Sequence, residues 1–147
     1  MIPKTIHYCW FGRGELPELA KKCIASWEKY CPDFEIIQWN EDNFDIAGNR
    51  YAKEAYDAHK WAFASDYVRL KVLYDEGGIY FDTDVELLKP IDDLLIHQSY
   101  FGFEDAEHVN TGLGFGAEKQ SEIVKLMLDE YTDYLDREGE FIGCPIM

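Results

Sequence analysis

Gly77-Gly78-Ile79-Tyr80-Phe81-Asp82-Thr83-Asp84-Val85 is the stretch on which the reading of this chain turns. Two glycines break a helix, a short run of strand formers follows, and the run ends in two carboxylates one residue apart. In an extended strand, side chains at i and i+2 point to one face, about 6.5–7 Å apart along the chain. Tyr80, Asp82 and Asp84 therefore share a side if the strand continues through them. If it ends at Asp82, the chain can turn and bring the carboxylates closer. Either way two hard oxygen donors stand where α/β sheets place their ligand crevice, beyond the carboxyl ends of strands. Such a pair suits Mg²⁺ or Mn²⁺, which take carboxylate, water and phosphate oxygens.

Immediately upstream, the periodicity predicts a helix over residues 61–75, ended by Gly77 as its left-handed cap. Phe63, Tyr67, Leu70 and Tyr74 make one stripe; Asp66, Arg69 and Leu73 make another. Asp66 and Arg69 admit two readings. One is an ion pair one turn apart, worth a few tenths of a kcal/mol. The other sets Arg69 against a phosphate or sugar oxygen, which the forked guanidinium suits, with Asp66 accepting from sugar hydroxyls.

Further out, residues 6–11 read as a first strand closed by Gly12-Arg13-Gly14. A helix opens at Pro17, with Leu19, Ala20, Cys23, Ile24, Trp27 and Cys31 on one face, and Pro32 stops it. Residues 34–39 read as a second strand, ended by the turn-forming cluster Asn40-Glu41-Asp42-Asn43. Strand, helix, strand is the start of a parallel α/β unit. Residues 49–58 read as a short helix. Trp10, at the end of the first strand, is either core or a stacking platform for a nucleotide base. Trp39 is a weaker candidate for that role, and Trp27 and Trp61 read as packing. His7, His59, His97 and His108 show no zinc spacing and read as surface or packing residues.

Downstream, an extended path over 85–88, a helical turn at 91–95, strands at 100–103 and 111–117, and a final amphipathic helix over 121–135 are predicted. That helix carries Ile123, Val124, Met127, Leu128, Tyr131 and Leu135 on one face. Gly112, Gly114 and Gly116 do not match a phosphate-loop spacing; they suggest a strand that packs tightly or approaches a ligand. Asn110 is a further position within reach of a ligand. The end, Phe141 to Met147, is apolar and abrupt, and reads as cut off from a continuing sequence.

The chain has 147 residues, 47% of them hydrophobic, and a formal charge of -15. A single domain of this size buries about 68–70% of its unfolded surface, enough for a core. The charge repels nucleic-acid backbones and anionic membranes, so no nucleic-acid partner is expected. A phosphate ligand would need locally supplied positive charge. Neither a signal peptide nor a membrane span is visible. Cys9, Cys23, Cys31 and Cys144 lack metal spacing and read as reduced thiols, with no support for a Cys23–Cys31 bridge. The expected location is cytoplasmic, or peripheral at the inner face of a membrane.

Three ordered blocks carry a resemblance: Ile2-Pro3-Lys4 through Trp10-Phe11-Gly12, Ser65-Asp66-Tyr67-Val68-Arg69-Leu70, and Tyr74 with Gly77-Gly78 through Val85. Together they resemble the DXD-motif sugar transferases of glycosyltransferase family 32, which include capsular and cell-surface polysaccharide enzymes and yeast initiating mannosyltransferases. They are also similar to the glucosylating clostridial toxins. The resemblance implies a GT-A-type α/β nucleotide-binding sandwich with a mostly parallel central sheet. It implies Mn²⁺ or Mg²⁺, a UDP- or GDP-sugar donor, a glycan or lipid-linked glycan acceptor, and retention at the anomeric carbon. By it Trp10 stacks on the base, Asp66 binds donor hydroxyls, and Arg69 lies near sugar and phosphate. Tyr80 and Asp82 lie near the ribose, Asp82 and Asp84 hold the metal, and Asp82, Asp84 and Arg69 form the catalytic set. Family members are longer, and their later part builds the acceptor site, so residues 1–147 read as one donor-binding domain with its acceptor part missing.

Two other readings compete. One is a sugar-nucleotide-binding fragment without transfer activity. The other is a haloacid-dehalogenase-type phosphatase with Asp82 as nucleophile, although those enzymes carry their motif on the first strand.

Overall fold

The computed structural model describes residues 1–138, with side chains to Thr132. Cys144, the side chain of Leu135 and the apolar end from Phe141 to Met147 lie outside what it describes. Five strands form one sheet: β1 (Thr5–Cys9), β2 (Glu35–Trp39), β3 (Gly78–Tyr80), β4 (Ser99–Phe101) and β5 (Phe115–Ala117), in the order β2-β1-β3-β5-β4. β1 runs parallel to β2 and β3, while β5 is antiparallel to both β3 and β4. Four strands thus point one way and β5 alone is reversed, the mostly parallel sheet that was expected.

Helices cover both faces. α3 (Trp61–Glu76) lies against β1, β3 and β5, and α2 (Arg50–Asp57) and α4 (Glu122–Glu138) pack on its far side. α3 is therefore buried nearly all round, including Ala64, Val68, Leu70, Val72 and Leu73. α1 (Glu18–Tyr30) covers the opposite face, where Trp27 is fully buried among Ile6, Tyr8, Ile79 and Phe81. Because β1 is central, both of its faces are covered and Ile6, His7, Tyr8 and Cys9 are all buried.

Of the surface and packing readings, His7 takes packing: it is fully buried, and a buried imidazole needs partners for both nitrogens. Nδ1 accepts from the Trp39 indole at 3.0 Å, and Nε2 donates to the Gly77 carbonyl at 2.9 Å. Trp39 thereby packs against His7 and Phe44. Gly78 is needed because a Cβ there would meet the Thr5 carbonyl at 2.6 Å. Cys9, Cys23 and Cys31 are free thiols.

Element boundaries shift in ways that matter for the site. β1 ends at Cys9, so Trp10 and Phe11 leave the sheet and enter a loop. β3 ends at Tyr80, before either carboxylate; Asp82 to Val85 is a turn closed by Val85 N–H to the Asp82 carbonyl at 3.1 Å. Residues 85–88 form no ladder. They are pinned to α1, where Trp27 Nε1 donates to the Val85 carbonyl at 2.7 Å and Ser26 Oγ accepts from Leu87 N–H at 2.9 Å. The predicted strand over 111–117 is split: Thr111–Leu113 is a short 3-10 turn and only Phe115–Ala117 pairs. The Asn110 side chain causes this locally by accepting from Gly112 N–H at 2.8 Å, a side-chain bond that competes with a ladder. Among the described residues no helix is long and apolar enough to cross a membrane.

Candidate active site

The carboxyl ends of β1 and β3, the first turns of α3 and the Asp82–Val85 turn converge on one cleft of about 390 Å³. Trp10, Arg69, Tyr80, Asp82 and Asp84 all line it. So does Trp61, at the start of α3, which sequence reasoning assigned to packing. Asp66 belongs to a neighbouring cleft of about 500 Å³, together with Glu104, His108, Asn110 and Thr111. Arg69 forms part of both walls and joins the two.

Arg69 is the hub. It rises from the third turn of α3 and is only 5% exposed. Its Nη2 lies 3.1 Å from Asp82 Oδ1 and 3.2 Å from Asp66 Oδ1. Nη2 also donates to Ser65 Oγ at 3.0 Å, Nε to the Ser65 carbonyl at 3.2 Å, and Nη1 to Thr111 Oγ1 at 3.1 Å. The guanidinium stacks over the Tyr80 ring, 4.6 Å from its centroid. Burial opposes its charge, but the Asp82 and Asp66 carboxylates favour it, and the pKa is held above the ordinary value. The i,i+3 pair with Asp66 is thus real, and it is one limb of a larger network. Ser65 and Thr111 are missed at the level of sequence. Ser65 sits at i−4 from Arg69, a helical spacing that signals contact; Thr111 is 42 residues away and leaves no local signal.

Tyr80 is almost wholly buried, and its hydroxyl donates to Asp82 Oδ1 at 2.9 Å. Burial raises its phenol well above the ordinary value, so the donor stays protonated. Burial likewise pushes the Cys9 thiol beneath the site up to about 12, which makes it an inert neighbour. Asp82 is consequently fixed: Arg69 and Tyr80 hold Oδ1, and its own N–H donates to the Gly112 carbonyl at 3.1 Å. Oδ2 faces Gly112, where a Cβ would lie only 2.2 Å away. Asp84 is the opposite case. It is exposed at the rim, and its carboxylate has no hydrogen bond or ion pair among the described residues. Trp10 is half-buried in the cleft wall, its indole N–H donating to the Gly14 carbonyl at 2.9 Å.

One carboxylate held rigidly and a second left open form a donor set that fits a hard divalent ion. No group of three or more His, Cys, Asp or Glu residues suited to a metal occurs among the described residues.

The family described as "Glycosyltransferase sugar-binding region containing DXD motif" matches residues 17–101. Inositol phosphoceramide mannosyltransferase 3 of Schizosaccharomyces pombe is 32% identical over 107 residues, covering 67% of this chain and 29% of that protein. Inositol phosphoceramide mannosyltransferase 2 of the same yeast is 33% identical over 101 residues, covering 66% and 29%. Subversion of eukaryotic traffic protein A of Legionella pneumophila is 24% identical over 129 residues, covering 69% and 20%. This chain thus spans less than a third of each of these relatives. Among solved structures, the PaToxG glycosyltransferase superposes with a TM-score of 0.72 at 20% identity, covering 95% of this chain and 62% of that one. The phosphatase reading is displaced, since the aspartates follow the third strand and Oδ1 of Asp82 is already tied to Arg69 and Tyr80. With the match running through the helix that bears Asp66 and Arg69 and through both aspartates of the motif, the chain belongs to the DXD-motif glycosyltransferases, on a fold of the GT-A type.

Proposed function

We propose that this chain is the donor-binding domain of a metal-dependent, retaining glycosyltransferase that moves a sugar from a UDP- or GDP-sugar to a glycan or lipid-linked acceptor. Cell-surface or capsular polysaccharide synthesis is the setting we assign to it. The observation that carries the reading is the buried Arg69 between Asp66 and Asp82, at the junction of a cleft walled by tryptophans and a second, polar cleft. The yeast relatives are named for mannosyl transfer to inositol phosphoceramide, which supports a lipid-linked acceptor class.

In this reading the indole of Trp10 stacks on the base, because every base offers a π-face. The diphosphate lies toward Asp82 and Asp84, and the sugar reaches past Arg69 toward Asp66. A divalent ion held by Asp82 and Asp84 would neutralise charge growing on the departing diphosphate. Arg69 adds a fixed positive charge in a water-poor wall, which acts without reorganisation as the bond breaks. Tyr80 and Arg69 together keep Asp82 aimed. The bond from the anomeric carbon to the β-phosphate oxygen breaks, the acceptor oxygen bonds to the same face, and its proton passes to the departing phosphate oxygen. That route needs no dedicated protein base.

Calorimetry with a panel of UDP- and GDP-sugars, with and without Mn²⁺, tests this. Metal-dependent binding of one donor, lost in Asp84→Ala, is the expected result. Binding that ignores both the metal and Asp84 would refute the assignment.

A further inference from the structure

Trp10 sits in a loop that leaves the sheet, and a platform on a loop must be held. The loop's backbone is unusual: Gly12 and Arg13 both have positive φ, 93° and 64°. Trp10 N–H donates to the Trp39 carbonyl at 2.9 Å, and its indole N–H closes the loop onto Gly14. Gly12 lies against Trp61, whose ring a Cβ would meet at 2.7 Å. At the centre, the Gly12 N–H donates to Glu41 Oε1. Glu41 lies just after β2, and its side chain is only 11% exposed. The same Oε1 accepts from the Tyr56 hydroxyl at 3.2 Å, and Arg13 reaches Asp42 at 2.8 Å. Glu41 does not line the cleft. It reaches the site through the loop, and through Tyr56, whose ring packs on Trp61 with centroids 5.0 Å apart.

We infer that Glu41 is a positioning residue for nucleotide binding: by accepting the Gly12 N–H it fixes the Trp10–Gly14 loop so that the Trp10 indole stays in the cleft wall. The ligand class concerned is a nucleoside diphosphate, recognised through its base. This rests on the reading of Trp10 as the base platform. A carboxylate anchor of this kind matters because a stacking surface fixed before the ligand arrives spares the cost of ordering it on binding.

The test is equilibrium binding of UDP and GDP, and separately of inorganic pyrophosphate, each with Mn²⁺, to the wild-type chain and to Trp10→Ala, Glu41→Ala, Glu41→Asp and Glu41→Gln. Glu41→Ala is expected to lose about tenfold in nucleotide affinity, toward the low end of what base stacking supplies, with pyrophosphate binding unchanged. Glu41→Gln keeps an oxygen acceptor for the Gly12 N–H and is expected to restore binding. Glu41→Asp, one methylene short, is expected to fall between, and keeps the test alive if the alanine variant does not fold. Equal losses for nucleotide and pyrophosphate, or wild-type nucleotide affinity in Glu41→Ala and Glu41→Asp while Trp10→Ala is weakened, would overturn the role of Glu41. Wild-type nucleotide affinity in Trp10→Ala would overturn the base-platform reading itself, and the anchor with it.

Discussion

Arg69 and Asp82 meet at 3.1 Å, guanidinium Nη2 to carboxylate Oδ1, across the gap between a helix and the turn that follows its neighbouring strand. The contact couples the charge in the cleft wall to the acid that would hold the ion. Removing one partner of a buried pair costs about 3–5 kcal/mol, because the other charge is left without compensation. Asp82 is 39% exposed, so water recovers part of that cost. Arg69→Ala should therefore lower stability by about 2–3 kcal/mol, read from urea denaturation. Arg69→Lys should recover little, since one ammonium cannot reach Ser65, Thr111, Asp66 and Asp82 together. Full stability in Arg69→Lys would show that the fork is not what holds the network.

The two aspartates of the motif should separate stability from binding. Asp84 is exposed and has no polar partner among the described residues, so Asp84→Ala should change stability by less than about 0.5 kcal/mol. It should nevertheless abolish Mn²⁺-dependent donor binding. Asp82→Asn should weaken metal binding and also cost about 1 kcal/mol, because Arg69 loses a charged acceptor in a partly solvated setting. Thermal melts with and without Mn²⁺ on both variants check this; equal melting losses would mean that the two acids share one role.

Much of this arrangement was legible in the sequence. The hydrophobic period placed α1, α3 and α4, and Gly77-Gly78 marked the passage from α3 to β3. What could not be read were contacts between distant segments. Nothing local to Thr111 says that it meets Arg69, and nothing local to Glu41 says that it holds Gly12. The strand over 111–117 was misjudged because a β pattern there is overridden by the Asn110 side chain capturing Gly112 N–H. His7 was recoverable by argument: a strand central in a parallel sheet is covered on both faces, so a histidine within it must be buried and satisfied.

Gly112 offers a test by space alone. A Cβ at this position would lie 2.2 Å from Asp82 Oδ2 and 3.0 Å from its carboxyl carbon. The carboxylate must then swing, and with it the oxygen not already held by Arg69 and Tyr80. Gly112→Ala should cut Mn²⁺-dependent nucleotide affinity by about tenfold while leaving metal-free nucleotide binding at its wild-type level. Titration of the variant with UDP in Mn²⁺ and in chelator decides it. An unchanged Mn²⁺ dependence would show that Asp82 Oδ2 is not the oxygen that matters.

His7 predicts a pH dependence with a definite sign. Its imidazole is neutral in the fold, with Nδ1 accepting from Trp39 and Nε2 donating to Gly77. Burial lowers its pKa below the ordinary 6.5, and the bond to the Gly77 carbonyl only partly offsets that. A proton added to Nδ1 would destroy the acceptor that Trp39 needs. The unfolded chain therefore binds this proton more readily than the folded one. The stability involved is complete above about pH 6.5 and is lost as pH falls from there through the lowered folded value, with a slope of at most about 1.4 kcal/mol per pH unit from this one group. Other groups contribute to acid sensitivity alike in both proteins, so the variant and the wild type are compared. Urea midpoints for wild type and His7→Gln at pH 7.5 and pH 5 make that comparison. The wild type should lose more stability between the two values than His7→Gln, which has no proton to gain; parallel losses would place the acid sensitivity elsewhere in the chain.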